Sequence, residues 1–260
     1  MSDKLVSIAM ATYNGEKYLR EQLDSIYDQT YKNIEVIVCD DCSKDGTAQL
    51  LEEYKQKYGL KYFINEKNLG FIKNFEKAVS LCSGEYIAFS DQDDIWMPRK
   101  IEELINEIGN YSLIHSDAEL IDKEGNSLED TQKSRLFREL GLIPAVNFKS
   151  INTKEALQGC TCLFTKDVAD KAIPFPSEFY HEYWTARVAL KMNGIKYFDK
   201  CLVKYRLHDN NVAGINPQCE YLNKINFFKK YFAILYKIAR YLYRLQKHLK
   251  IQFLLMQRGL

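Results

Sequence analysis

No run of about 18 consecutive uncharged apolar residues occurs anywhere in the 260-residue chain, so no segment reads as a membrane-spanning helix. The opening MSDKLVSIAM is too short and too polar for a secretory leader. Cysteine is sparse and odd in number, seven in all, which excludes a secretory disulfide framework. Cys39 and Cys42 do form a Cys-x-x-Cys pair. Zinc would need two more ligands, and Cys160 and Cys162, two apart on a strand, point to opposite faces. We read the cysteines as reduced core thiols and the compartment as cytosolic. Proline is scarce, at five residues, and the chain holds no low-complexity segment and no internal repeat. Net charge is only +1, so nucleic acid is not an expected partner. What is present is a globular composition, 46% hydrophobic and 27% charged. That excludes a disordered chain, and the length suffices to bury a core without disulfides or structural metal.

The first hundred residues alternate. Leu5–Ala11, Ile34–Cys39, Leu60–Asn65 and Glu85–Ser90 are short apolar runs that read as strands. Between them Glu16–Gln29, Asp45–Tyr58 and Phe71–Cys82 carry apolar residues at helical spacing, and Pro98 opens a helix through Ile108. Such alternation predicts an α/β fold, a mainly parallel sheet with helices on its faces. Beyond Tyr111 the rhythm changes. Ser112–Leu120 and Cys160–Thr165 read as strands, Asp122–Asn126 as a turn, and Tyr180–Met192 as a helix ending at Asn193-Gly194. Ile195–Phe198 and Leu202–Arg206 read as two short strands, and Ser127–Asn152 as a long polar loop.

Parallel sheets place ligands at the carboxyl ends of their strands. Here those ends are Ala11-Thr12-Tyr13-Asn14, Asp40-Asp41-Cys42-Ser43 and Ser90-Asp91-Gln92-Asp93-Asp94. Acids gathered on neighbouring strand ends repel one another, and a bound cation or hydrogen-bond donors would relieve the repulsion. Asp91 and Asp93, two apart, face the same way on extended backbone and suit a hard divalent ion that also takes phosphate oxygens. Asp94 reads as a helix cap ahead of Pro98.

Four ordered motifs carry a resemblance. Ile8-Ala9-Met10-Ala11-Thr12-Tyr13-Asn14, Val36-Ile37-Val38-Cys39-Asp40-Asp41-Cys42-Ser43, Asn68-Leu69-Gly70 and Gly84-Glu85-Tyr86-Ile87-Ala88-Phe89-Ser90-Asp91-Gln92-Asp93-Asp94 together resemble the family 2 glycosyltransferases of the GT-A fold. His181-Glu182-Tyr183-Trp184, Gln158-Gly159-Cys160-Thr161 and the stretch from Tyr205-Arg206-Leu207-His208 to Gly214 resemble the rhamnosyltransferase-like branch. The resemblance implies a nucleotide-diphosphate-sugar transferase. Its catalytic domain would span residues 1–215, with a nucleotide-binding half at 1–100 and an acceptor half at 101–215.

It also implies roles. Ala11, Thr12 and Tyr13 would line the nucleotide base, Asp41 would accept from the pyrimidine N–H, and Asp40 would support it. Asp91 would lie near the ribose and Asp93 on Mn²⁺ or Mg²⁺, with His208 completing the metal or diphosphate site. Arg206 would offer a phosphate fork, and Trp96 and Trp184 would shape the sugar pocket. Glu182, in a first helical turn whose dipole favours the ionised form, would be the base for transfer with inversion. The family usually carries Asp at that point. The donor would be dTDP- or UDP-linked, with rhamnose leading by branch alone, and the acceptor a hydroxyl of a surface polysaccharide or lipid-linked glycan. A nucleotidyltransferase would show a Gly-rich basic loop after strand one, which Ala11–Glu16 lacks. A silent glycan-binding scaffold would not need Asp91, Asp93 and Glu182.

From Tyr221 to Leu260 there are nine Lys or Arg and no acid, whereas residues 1–220 carry 27 basic and 35 acidic side chains. Apolar residues 222, 225, 228, 232, 235, 239, 242, 245 and 249 form one helical stripe opposite most of that charge. We read 216–260 as a basic amphipathic helical tail suited to an anionic membrane surface, which would place the protein at the inner face of the cell membrane. Packing of this helix on the catalytic domain, or on a second subunit in a homodimer, is the alternative.

Overall fold

The computed structural model describes residues 4–131, 157–209, 211 and 249–260. Its elements run β1 (Val6–Thr12), α1 (Glu16–Tyr27), β2 (Ile34–Asp40), α2 (Thr47–Tyr58), β3 (Lys61–Ile64), α3 (Phe71–Ser80), β4 (Tyr86–Ser90), β5 (Ile95–Trp96), α4 (Lys100–Ile108), β6 (Leu113–Ile121), β7 (Ser127–Thr131), β8 (Cys162–Thr165), α5 (Lys166–Ala172), α6 (His181–Lys191) and β9 (Ile195–Arg206). Among the described residues the strands form a single mixed sheet in the order β3-β2-β1-β4-β8-β6-β9-β5, with β7 pairing β6.

Strands β1, β2, β3 and β4 are parallel, as the alternation predicts. The apolar runs of β1, β2 and β4 are continuous because both sheet faces are covered there, whereas β3 is an edge strand with Phe63 and Ile64 exposed. Successive residues of one strand serve opposite layers. Ile8 and Met10 pack with Leu19, Leu23 and Ile26 of α1 and with Ile101 and Leu104 of α4. Ala9, between them, packs with Phe75 and Val79 of α3 and with residues of α5 and α6. Cys160 and Cys162 likewise fall in opposite layers. Each large apolar side chain so buried contributes roughly 1.5–3 kcal/mol. The six described cysteines are free thiols.

Three differences from the sequence reading follow from pairing that composition does not encode. Ser127–Thr131 is not loop but strand β7, folded back on β6 by a turn in which Asp122 Oδ1 accepts from the backbone N–H groups of Glu124 and Asn126. The segments around Ile195 and Arg206 are one strand, since β9 keeps parallel pairing with β6 across a bulge that skips from Ser116–Phe198 to Asp117–Cys201. Residues 159–161 form a 3-10 turn, so β8 starts only at Cys162. The remainder of the expected loop, 132–152, lies outside the described residues, as do Val212–Gly214 and the stripe residues 222–245.

The last twelve residues are described, and they pack on the domain. Residues 249–256 are helical, with Ile251 and Leu255 fully buried in the layer that holds α3, α5 and α6. Arg258 donates to the carbonyls of Lys171, Ile173 and Pro174 and lies over the Trp184 ring. Leu249, by contrast, is exposed. No described helix is long and apolar enough to cross a membrane.

Candidate active site

The carboxyl ends of β2, β1 and β4 emerge side by side, with Thr12 opposite Asp40 and Met10 opposite Ser90 in register. A cavity of about 710 Å³ opens there. Its lining includes Ala11, Thr12, Tyr13, Asp41, Asp91, Asp93, Glu182 and His208, so residues from five separate stretches of sequence share one cleft.

At the base end, Thr12 Oγ1 and Ser43 Oγ both donate to Asp40 Oδ1, so Asp40 holds the two loop starts together. Asn14 adopts a left-handed φ of 49° and ties the same loops, accepting from Lys44 N. Asp41 is almost fully buried. Its carboxylate accepts from Asn65 Nδ2 at 2.9 Å, Leu69 N at 2.7 Å and Gly70 N at 2.9 Å. A carboxylate has about four acceptor positions, so capacity for one more donor remains. Tyr13, half exposed, stands at the rim.

The acidic segment is clipped to this end by Gln92. Its Oε1 accepts from Tyr13 N at 2.8 Å and its Nε2 donates to Tyr13 O at 3.1 Å. A Cβ at Gly15 would stand 2.4 Å from that Oε1, so a side chain there would push the Gln92 amide aside. Beyond Gln92, His208 Nε2 lies 2.7 Å from Asp93 Oδ2. Asn211 fixes the His208 loop, accepting from His208 N and donating to Arg206 O.

Arg206 does not reach the cavity. It is buried and spent on protein partners: Nε donates to Asp93 O at 2.8 Å, an Nη to Glu21, and the backbone N–H to Asp94 Oδ1 at 3.1 Å. It braces the acidic loop from behind and is not a phosphate fork. Trp96 and Trp184 are core side chains that do not line the cavity. Trp184 Nε1 donates to Ala172 O, and Lys100 Nζ sits 3.1 Å from the Trp96 ring centroid. Asp94 is no cap either, since Arg99 precedes α4 and Asp94 is fully buried.

Burial dominates the electrostatics. Desolvation, then Asp94 and Asp93, push the Asp91 carboxyl well above its ordinary value. Desolvation pushes Asp94 up to about 7 and Lys100 down to about 7. Glu182 lies in the first turn of α6, where the dipole favours its charge, yet desolvation wins and raises its carboxyl to about 7. Its Oε2 has no hydrogen-bond partner among the described residues. His181 next to it is packed face to face on Phe75 at 3.9 Å and edge-on to Phe89 at 4.6 Å, and burial drives its pKa down to about 3.

Two donor sets could hold a cation. Asp91, Asp94 and Cys160 offer ligand atoms within 4.8 Å of one another. Burial holds the Cys160 thiol protonated and Lys100 lies nearby, so a hard divalent ion does not fit that set. Asp93 and His208 present oxygen and nitrogen at the cavity wall, and that pair does fit, with room left for phosphate oxygens.

A mixed sheet between helical layers, with acids converging where its parallel strands end, defines a GT-A-like nucleotide-sugar transferase arrangement. Similarity to known proteins agrees. The family model described as "Glycosyl transferase family 2" matches residues 7–172. The chain belongs to that family. It is 32% identical over 215 residues to an uncharacterized glycosyltransferase of Rickettsia typhi, covering 79% of this chain and 64% of that protein. It is 31% identical over 222 residues to the Escherichia coli UDP-Glc:alpha-D-GlcNAc-diphosphoundecaprenol beta-1,3-glucosyltransferase WfgD, covering 82% of this chain and 81% of the relative. Staphylococcus aureus TarS 1-349, solved in complex with UDP-GlcNAc, superposes with a TM-score of 0.63 at 26% identity, covering 80% of this chain and 60% of that one.

Proposed function

We propose that the protein transfers a hexose, with inversion, from a pyrimidine nucleoside diphosphate sugar to a hydroxyl of a glycan. The observation that carries this reading is the convergence of Asp41, Asp91, Asp93, His208 and Glu182 on one cavity. Asp41 accepts the imide N–H of the base, which uracil and thymine share. Asp91 meets the ribose. Asp93 and His208 hold Mn²⁺ or Mg²⁺, which when bound offsets the charge on the departing diphosphate. Glu182 accepts the proton of the acceptor hydroxyl as its oxygen bonds to the anomeric carbon; the bond from that carbon to the diphosphate breaks, and its electron pair leaves with the phosphate.

WfgD is named for UDP-Glc and TarS was solved with UDP-GlcNAc, which favours a uridine-linked donor over the dTDP-rhamnose that motif resemblance suggests. WfgD is also named for a diphosphoundecaprenol-linked sugar, which supports a lipid-linked acceptor for this chain and a working position at an anionic membrane surface. The acid-free run 221–248, with seven Lys or Arg, supports the same placement, whereas Lys250 and Arg258 beyond it are taken up by the domain. The test is release of the donor nucleotide from a panel of UDP-Glc, UDP-GlcNAc and dTDP-rhamnose, with and without Mn²⁺, comparing wild type with Asp93→Ala. Metal-stimulated turnover that survives Asp93→Ala would remove the assigned metal site.

A further inference from the structure

Lys17 is the one Lys or Arg among the residues lining the cavity, whose other formally charged lining groups are the carboxylates of Asp41, Asp91, Asp93 and Glu182. It stands exposed in the first turn of α1. Its Nζ lies 4.7 Å from the centroid of the Tyr18 ring. That ring lies 5.0 Å from the ring of His208, which bonds Asp93. So the ammonium sits beside the metal-binding end of the cleft, parked on an aromatic face. No carboxylate of the described residues pairs with it, although four share its cavity. Arg206, the other cation against Tyr18, has its guanidinium committed to Asp93 O and Glu21.

A nucleoside diphosphate carries two to three negative charges into this acidic cleft, roughly, and one divalent ion beside Asp91 and Asp93 leaves part of that charge uncompensated. We infer that Lys17 is a diphosphate-binding residue, whose ammonium leaves the Tyr18 ring to meet the oxygens of the β-phosphate. Lysine is suited to this role, because a compact charge on a flexible stem can follow a group that departs. The inference rests on the nucleotide-sugar reading above and adds a contact to it.

The test is titration calorimetry of UDP and UMP into the full chain at saturating Mn²⁺, with wild type, Lys17→Met and Lys17→Arg. Lys17→Met is expected to weaken UDP about tenfold and UMP less than about twofold, with Lys17→Arg recovering most of the loss. The wild-type affinity for UDP should also fall more steeply with salt than that of Lys17→Met. Equal UDP affinity in wild type and Lys17→Met overturns the inference and leaves the nucleotide-sugar reading standing. Equal weakening of UDP and UMP also overturns it, since a change in pocket shape would do that. A wild type that binds neither nucleotide overturns the underlying reading as well.

Discussion

The imidazole Nε2 of His208 and the carboxylate Oδ2 of Asp93 lie 2.7 Å apart, although 115 residues separate them in sequence. The pairing depends on β9, whose parallel run along β6 delivers the chain back to the acidic loop. His208→Ala should therefore raise the Mn²⁺ concentration needed for half-maximal turnover by about tenfold or more, the range for loss of a metal-site partner. A titration of turnover against Mn²⁺ measures it, with circular dichroism showing the fold unchanged.

As the proposed base, Glu182 should set the acid limb of the pH profile. Burial raises its carboxyl from an ordinary 4.5 to about 7. The ionised form is the active base, so kcat should fall as pH drops through about 7. Glu182→Gln should cost roughly 10²–10⁴ in kcat while nucleotide affinity stays near wild type. Glu182→Asp, which restores the residue type the family usually carries, should retain more activity than Gln. The same shift acts on stability with the opposite sense. Because the folded state holds this proton more tightly than the unfolded chain, Glu182 contributes stability at low pH that is lost as pH rises from about 4.5 through about 7. Glu182→Gln should flatten that part of the melting-temperature profile.

Besides its proposed contact with the base, Asp41 is a fastener. Replacing it with Ala removes three hydrogen bonds to a charged acceptor, from Asn65 Nδ2, Leu69 N and Gly70 N, although Asn65 Nδ2 keeps Asn74 Oδ1 and Gly70 N keeps Asn68 Oδ1. Urea unfolding should show a loss of about 1–3 kcal/mol. UDP binding should weaken at the same time.

Trp184 separates core from site. Trp184→Ala should cost about 3–5 kcal/mol of stability, because a large fully buried side chain leaves a cavity. Trp184→Phe should lose less and leave the donor KM within about twofold of wild type, since the indole lies outside the cleft. Donor kinetics beside a denaturation curve distinguish this from a sugar-binding tryptophan.

How much of the molecule is legible in the sequence follows from the range of the interactions. Strands β1 to β4 and the helices between them are visible because apolar period and turn chemistry are local, and the ends of parallel strands mark where ligands go. That alone brings Asp40, Asp41, Asp91, Asp93 and Asp94 into view, and it takes the family resemblance to single out Asp41, Asp91 and Asp93 among them. Arg206 misleads because its partners, Asp93 O and Glu21, are far away in sequence. An arginine at the end of a strand looks the same whether it points at solvent or at the back of a loop. Trp96 and Trp184 mislead because aromatic side chains near a helix start occur in cores and pockets alike. The raised carboxyl of Glu182 is hidden for a related reason: the helix dipole is legible in sequence, whereas the desolvation that outweighs it belongs to the fold. Lys17 carries no signal beyond being a cation just after the first loop.

The double link from the Gln92 amide to the main chain of Tyr13 makes the two ends of the cleft one mechanical body. A free nucleoside seated against Tyr13 should then quieten the segment at Asp91–Asp94 even though it carries no phosphate to touch it. Slowed deuterium uptake there on adding uridine, abolished by Gln92→Ala, would show selectivity for the base being transmitted along the rim to the chemistry.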